Sequence, residues 1–287
     1  METFRTPPAS PSPLVVIDPP SPVSLEAKNF FARVEQGQRS RGLLRTDGGG
    51  PDAPFDADQL ARAFRATAFA AEFADRGSEL VERETEIRLR RWAGPVRVQA
   101  VFGAGVEDRQ NADDRATIQR FSARLQTATR HPLRFVESGG NFNVVVVTED
   151  ERRVIGPLLT RLMPDIRPRE IAVIEAAEST DYCWVVSSDP KDDGVITRAV
   201  AVIRAELPPL LRLACIHEEM ARGMGLANDS TARPSVFNDD DEFARLTGMD
   251  EKMLRMLYDI RLKPGMDAET AMPIVNELAR SLTSPAS

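Results

Sequence analysis

Glu218-Glu219-Met220-Ala221-Arg222-Gly223-Met224-Gly225-Leu226-Ala227-Asn228-Asp229 decides how the chain is read. Glu218 and Arg222 stand four residues apart, and side chains at i and i+4 share one face of a helix. Gly225 supplies a turn where the helical pattern stops, and Asn228 and Asp229 follow directly. On the other side of the wheel His217 falls among Leu210, Leu213, Ala214, Ala221 and Met224, inside a broad apolar arc. Its i+4 partner is Ala221, so His217 reads as a packed, hydrogen-bonded core histidine rather than a metal ligand.

The polar face, Arg212, Glu218, Glu219 and Arg222, admits two readings. It is either a solvated face carrying a weak i,i+4 pair, or a cleft-lining cluster in which Arg222 bridges Glu218 with Asn228 or Asp229. The second reading requires Glu218 and Arg222 to face each other.

In register, the stretch resembles the zinc-binding helix of metzincin proteases, H-E-x-x-H-x-x-G-x-x-H. Glu219 holds the catalytic glutamate position and Gly225 the turn glycine. Glu218, Arg222 and Asn228 occupy the three histidine positions. Such a site needs three protein ligands and an open position for water. A guanidinium is always charged and only donates, so Arg222 cannot be a ligand. The resemblance therefore implies a zincin-like fold without its zinc: no metal and no cofactor are expected. Downstream, Ser235-Val236-Phe237-Asn238 stands where the methionine turn would lie, with Phe237 at the methionine position. Leu246 to Asp259 resembles the final helix of matrix-metalloproteinase domains, with Thr247 as cap, Asp250 in the first turn and an apolar stripe of Met253, Leu254, Leu257 and Tyr258.

Taken whole, the chain resembles a bacterial family known as domain of unknown function 2927. The similar pieces are Gly42–Gly50, Leu89-Arg90-Arg91-Trp92 with Pro95-Val96, Asn141–Val144, Cys215–Leu226, Asn228–Ser230, Pro234–Asp240 and Leu257–Asp259. Members usually carry glutamine where this chain has Arg222. That family carries no established activity, so the resemblance bears on the fold. Its members often bear an export or lipoprotein signal, which implies a cell-envelope or periplasmic location; the chain as written, taken as complete, reads as cytoplasmic.

At 287 residues with a net charge of −7 and a pI near 5.2, the chain has ample length for a core and the wrong charge for general nucleic-acid binding. No stretch approaches the roughly 18 apolar residues of a transmembrane helix. Residues 1–23 are rich in Pro and Ser and read as a tail or linker, residues 24–80 as a helical extension, and residues 81–287 as the zincin-like domain. Cys183 and Cys215 stand either as a disulfide or as two buried thiols; the export implied by the resemblance favours the disulfide.

The patterning predicts helices over Pro22–Gln38, Asp56–Phe73, Asp113–Thr129, Val154–Met163, Leu207–Leu226 and Asp267–Leu282. Strands are expected at Val96–Val101, Leu133–Glu137, Asn143–Thr148, Tyr182–Ser187 and Val195–Ala205. Four consecutive valines mark the third strand as central and buried on both faces. The expected class is α+β, with α/β character: a mixed twisted sheet, a central helix of active-site type, and C-terminal helices. Its order, strand–helix–strand–strand–strand–helix, fits the upper half of a metzincin catalytic domain.

Other motifs carry little. Gly48-Gly49-Gly50 lacks the strand, helix and lysine of a phosphate loop. Asp239 to Glu242 lacks the spacing of a calcium loop. His131 precedes Pro132 in a turn, and two distant histidines make a poor basis for a serine triad.

Three functional expectations follow. One is a non-catalytic binding or scaffolding domain that holds an extended peptide or protein partner in a cleft lined by Glu218, Glu219, Arg222, Asn228 and Asp229. Another is a metal-independent hydrolase, or an atypical metallopeptidase, in which Glu219 is the general base and Arg222 holds an oxyanion. The last is a structural domain with a disused cleft.

Overall fold

The structure, a computed structural model, describes residues 19–50, 52–76, 79–238 and 242–284. The Pro-rich stretch before residue 19 and Asp239–Asp241 of the acidic run lie outside them. In chain order the elements are α1 (Pro22–Ser40), α2 (Ala57–Ala68), β1 (Ala70–Arg76), β2 (Glu79–Glu86), β3 (Arg91–Trp92), β4 (Val96–Phe102), α3 (Asp108–Thr129), β5 (Leu133–Phe135) and β6 (Phe142–Val147). They continue with α4 (Glu149–Arg152), α5 (Gly156–Leu162), α6 (Pro168–Ala176), β7 (Cys183–Ser188), β8 (Val195–Ile196), β9 (Arg198–Arg204), α7 (Pro209–Arg222), α8 (Gly248–Leu257) and α9 (Ala268–Thr283). The class is α+β with a mixed sheet, as the patterning implies.

Five strands form the main sheet in the order β5-β4-β6-β9-β7. The inner pairings are parallel, and β7 runs antiparallel to β9 at the edge. Val144 and Val146 enter the larger core with α2, α3, α7, α8 and α9, while Val145 and Val147 enter a second core with α5 and α6. Period-2 alternation puts successive valines on opposite faces, and both faces are covered. Each buried valine contributes about 1.5–3 kcal/mol relative to exposure, which makes β6 the anchor of both layers.

Local signals explain most helix starts. Asp56 and Gln59 form a reciprocal capping box at α2, and Thr247 and Asp250 form another at α8. Ser21 caps α1, with Pro22 next to it. Helices α1 and α2 deliver Phe31, Leu60 and Phe64 to the same core as the sheet and α7.

Three regions, among others, depart from expectation, the first being the strand expected over Val195–Ala205, which divides into β8, parallel to β3, and β9 of the main sheet. The helix expected to reach Phe73 ends at Ala68, and Ala70–Arg76 instead pairs antiparallel with Glu79–Glu86. Alanine-rich sequence favours helix locally, and the ladder overrides that preference. Helix α6, which the patterning omits, begins at Pro168, where a proline suits the first helical position.

Candidate functional site

Helix α7 crosses the larger core and presents two unlike faces. On the closed face His217 is 6% exposed, stacks on Phe121 at 3.9 Å between ring centroids, and accepts at Nδ1 from the Leu246 N–H at 3.0 Å. Burial, aided by repulsion from Arg124 and Arg245, pushes its pKa down to about 3. The imidazole is therefore neutral at neutral pH and built into the core, as the wheel implies.

The other face carries the charge cluster. Arg222 donates to Glu218 Oε1 at 2.8 Å and also pairs closely with Asp229, which lies past the turn. Burial opposes the guanidinium charge, but Glu218, Glu219 and Asp229 outweigh it and raise the Arg222 pKa above its ordinary value. Glu218, Arg222 and Asp229 keep 24%, 13% and 27% of their side-chain surface in contact with solvent, so the cluster is half-open. Glu219, beside it, is buried.

Two expected members belong elsewhere. Asn228 turns to α2, where its N–H meets Thr67 O at 3.2 Å and its Nδ2 meets Ala66 O at 3.3 Å. Arg212, placed by the wheel on the polar face, is buried against Asp114 of α3 at 2.8 Å and donates to Leu207 O. A helical wheel records which side of α7 a residue occupies, not which neighbour covers that side.

The turn itself is tightly backed. Gly225 has φ of +119°, and a Cβ there would lie 2.1 Å from Arg90 O. Trp92 Nε1 donates to Gly223 O at 2.8 Å, and Arg91 donates to Leu257 O at 2.7 Å and to Asp259 O at 3.1 Å. Leu89-Arg90-Arg91-Trp92 is thus a strap beneath the end of α7, a role its sequence did not disclose. Below the turn, Asp250 is fully buried and accepts from Ser235 Oγ, Val236 N, Thr247 N and Thr247 Oγ1 at 2.7–3.0 Å. Burial raises its pKa despite those donors. Phe237, also fully buried, fills the floor.

Edge strand β7 lies against α7 through a Cys183–Cys215 disulfide with Cα atoms 5.9 Å apart. Ser188 O accepts from Thr197 N, towards β9, whereas Ser187 O accepts from Arg90 Nη2, away from it. By strand alternation the backbone groups of Cys183, Val185 and Ser187 all face the outer edge. No strand pairs with that edge among the described residues. At its far end opens a cavity of about 690 Å³, whose lining includes Arg88, Arg90, Arg167, Glu170, Ser187 and Asp189. No pattern in the sequence announces this cavity, to which Leu89-Arg90-Arg91-Trp92 contributes Arg90. A smaller cavity, about 400 Å³, lies by His131, Tyr258 and Arg91.

Glu218, Arg222 and Asn228, which the resemblance to metzincins would set at ligand positions, do not fit a zinc ion. Arg222 already lies between Glu218 and Asp229, and Asn228 is committed to α2. A different grouping draws ligand-type atoms together: Cys183 Sγ and carboxylate oxygens of Glu218 and Glu219 lie within 4.8 Å of one another. No helix among the described residues is long and apolar enough to cross a membrane.

Residues 57–277 match the family model described as Protein of unknown function (DUF2927), and the chain belongs to that family. No curated protein and no solved structure matches it.

Proposed function

We propose that this DUF2927 chain is a non-catalytic binding domain of degenerate metzincin-like fold, which holds an extended peptide along the outer edge of β7. The observation that carries this reading is the open edge itself. Outward backbone groups at Cys183 and Val185, continued by Ser187 whose carbonyl already accepts from Arg90, run from the half-open α7 cluster to the 690 Å³ cavity. A peptide adding to such an edge gains main-chain hydrogen bonds, while pockets at either end read its side chains. Six strand residues span about 20 Å, enough for a short extended segment. Arg222, Glu218 and Asp229 would read a polar side chain at one end, with Glu219 behind them and Asn228 positioning the turn. The mixed charges around Arg90 and Asp189 would read a charged one at the other.

Support for a cell-envelope location comes from the Cys183–Cys215 disulfide, because such bonds persist mainly in oxidising compartments. The competing reading, a hydrolase with Glu219 as base and Arg222 as oxyanion holder, is less well supported. Arg222 is already neutralised by carboxylates on two sides.

The test is a screen of immobilised extended peptides against the full oxidised chain. Binding is expected to persist in EDTA, to fall with Arg222→Ala, and to fall with Val185→Pro, which removes an outward N–H. Melting curves check that both variants are folded. Binding untouched by both substitutions would refute this cleft. Peptide cleavage lost in Glu219→Gln would favour the hydrolase instead.

A further inference from the structure

We propose that reduction of the Cys183–Cys215 disulfide opens a binding site for a thiophilic divalent cation such as zinc, formed by Cys183, Cys215, Glu218 and Glu219. The site shares Glu218 and Glu219 with the peptide cleft but does not require that peptides bind there, and of the three metzincin ligand positions it uses Glu218 alone.

The placement comes from two elements. Cys215, Glu218 and Glu219 are i, i+3 and i+4 on α7, so all three project from neighbouring rows of one helix face. Cys183 arrives from β7, on the sheet face that looks at α7: its cross-strand partner Ile203 belongs to the larger core, whereas Trp184 pairs with Val202 of the second. Cys183 Sγ and the two carboxylates already lie within 4.8 Å of one another, and Cys215 Sγ is bonded to Cys183 Sγ.

As long as the disulfide stands, neither sulfur can serve, because the thiolate is the ligand. Reduction by a dithiol changes that. The dithiol supplies two electrons and two protons and becomes a disulfide; the Cys183–Cys215 bond breaks and two thiols form. On binding a dication both thiols release their protons to solvent. Two thiolates on one tetrahedral zinc stand about 3.8 Å apart, given a Zn–S length of about 2.3 Å, so the sulfurs need only separate modestly. Side-chain rotation accomplishes this with the Cα atoms near their 5.9 Å spacing. Cys183 is half-buried at the sheet edge, which gives the reductant a sulfur to attack, while Cys215 is buried in the core. Glu218 enters the site with Arg222 on its Oε1. Arg222 then offsets the net negative charge of two thiolates and two carboxylates around a dication.

Mixed thiolate and carboxylate ligands suit zinc and cobalt better than calcium or magnesium, which prefer oxygen alone. The experiment is an anaerobic titration of the full chain with cobalt(II) and then zinc, after reduction by a dithiol and removal of the dithiol by desalting. Reduced protein is expected to bind one cobalt with a thiolate-to-metal charge-transfer band that zinc abolishes, whereas oxidised protein shows no such band. Glu218→Gln and Glu219→Gln, which leave the disulfide intact and so test the ligands without removing the cysteines, are each expected to weaken the reduced site by at least about tenfold. Equal affinity in the oxidised and reduced chains would overturn the proposal. So would unchanged affinity in both glutamine variants, or loss of far-ultraviolet dichroism in the reduced chain with metal present.

Discussion

Two of the arginine–carboxylate clusters in this molecule differ in how far water reaches them. At the ends of β6 and β9, Glu149 is held by Arg152 at 2.8 Å, Arg153 at 2.7 Å and Arg204. Only 1% of the Arg152 side chain and 2% of that of Arg204 is exposed. Leftover donors are met by carbonyls of Ile174, Ala177, Glu178 and Asp181, and Glu206 ties the backbone of Glu149 to Ser24 of α1. In the α7 cluster the same residue types stop short of closure and keep a solvent-facing side. A closed network fixes elements to one another, since breaking it strands a buried charge. A half-open one has little to lose by exchanging partners, and a ligand can take the place of water.

The sharpest way to break this contrast is Glu149→Gln. It removes the shared anion of the closed network and is expected to cost about 3–5 kcal/mol in urea unfolding. Burial opposes the Glu149 charge, but Arg152, Arg153 and Arg204 hold its pKa below the usual carboxylate range. Its share of stability is therefore present above the unfolded-state pKa and lost as pH falls through the lower folded value.

Next in size is the closed face of α7. His217 has a folded pKa near 3 against 6.5 in the unfolded chain. Its contribution is complete above 6.5 and declines as pH falls from there towards 3, because only the unfolded state takes up the proton. At about pH 5 the loss is about 2 kcal/mol. Unfolding free energies between pH 8 and 4 are expected to fall less steeply in His217→Gln than in the wild type. Identical slopes would mean the imidazole is not buried neutral.

On the open side, Arg222→Met is expected to cost about 2 kcal/mol of stability, less than Glu149→Gln because Glu218 and Asp229 keep a solvent-facing side, with the larger effect on peptide binding. A cost like that of Glu149→Gln would erase the distinction between the clusters. Smallest of all is Glu218→Gln, at about 0.3–0.5 kcal/mol for a single i,i+4 pair, measurable as a small shift in the urea midpoint.

What could be read in advance follows the same division between local and distant causes. Caps at Asp56 and Thr247, the four valines of β6 and the apolar arc around His217 are local patterns, and they lie where the patterning puts them. The pairing of Arg222 with Glu218 and Asp229 was also visible, because its partners sit within one turn and one loop. The hydrogen-bond partners of Asn228 and Arg212 were not legible because Ala66, Thr67 and Asp114 are far away in sequence. The same holds for the β7-end cavity, assembled from three separate stretches, and for Asp250, which reads as an ordinary first-turn acid yet holds up the loop below α7.

The strand order has a consequence for biosynthesis. β6 leaves the ribosome with β4 already available on one side, but its other partner, β9, follows only after α4, α5, α6, β7 and β8. Throughout that interval one edge of the most apolar strand in the sheet has no neighbour, and unpaired apolar edges recruit other chains. Nascent chains stalled before Arg204 are therefore the form of this protein with the greatest need of a chaperone.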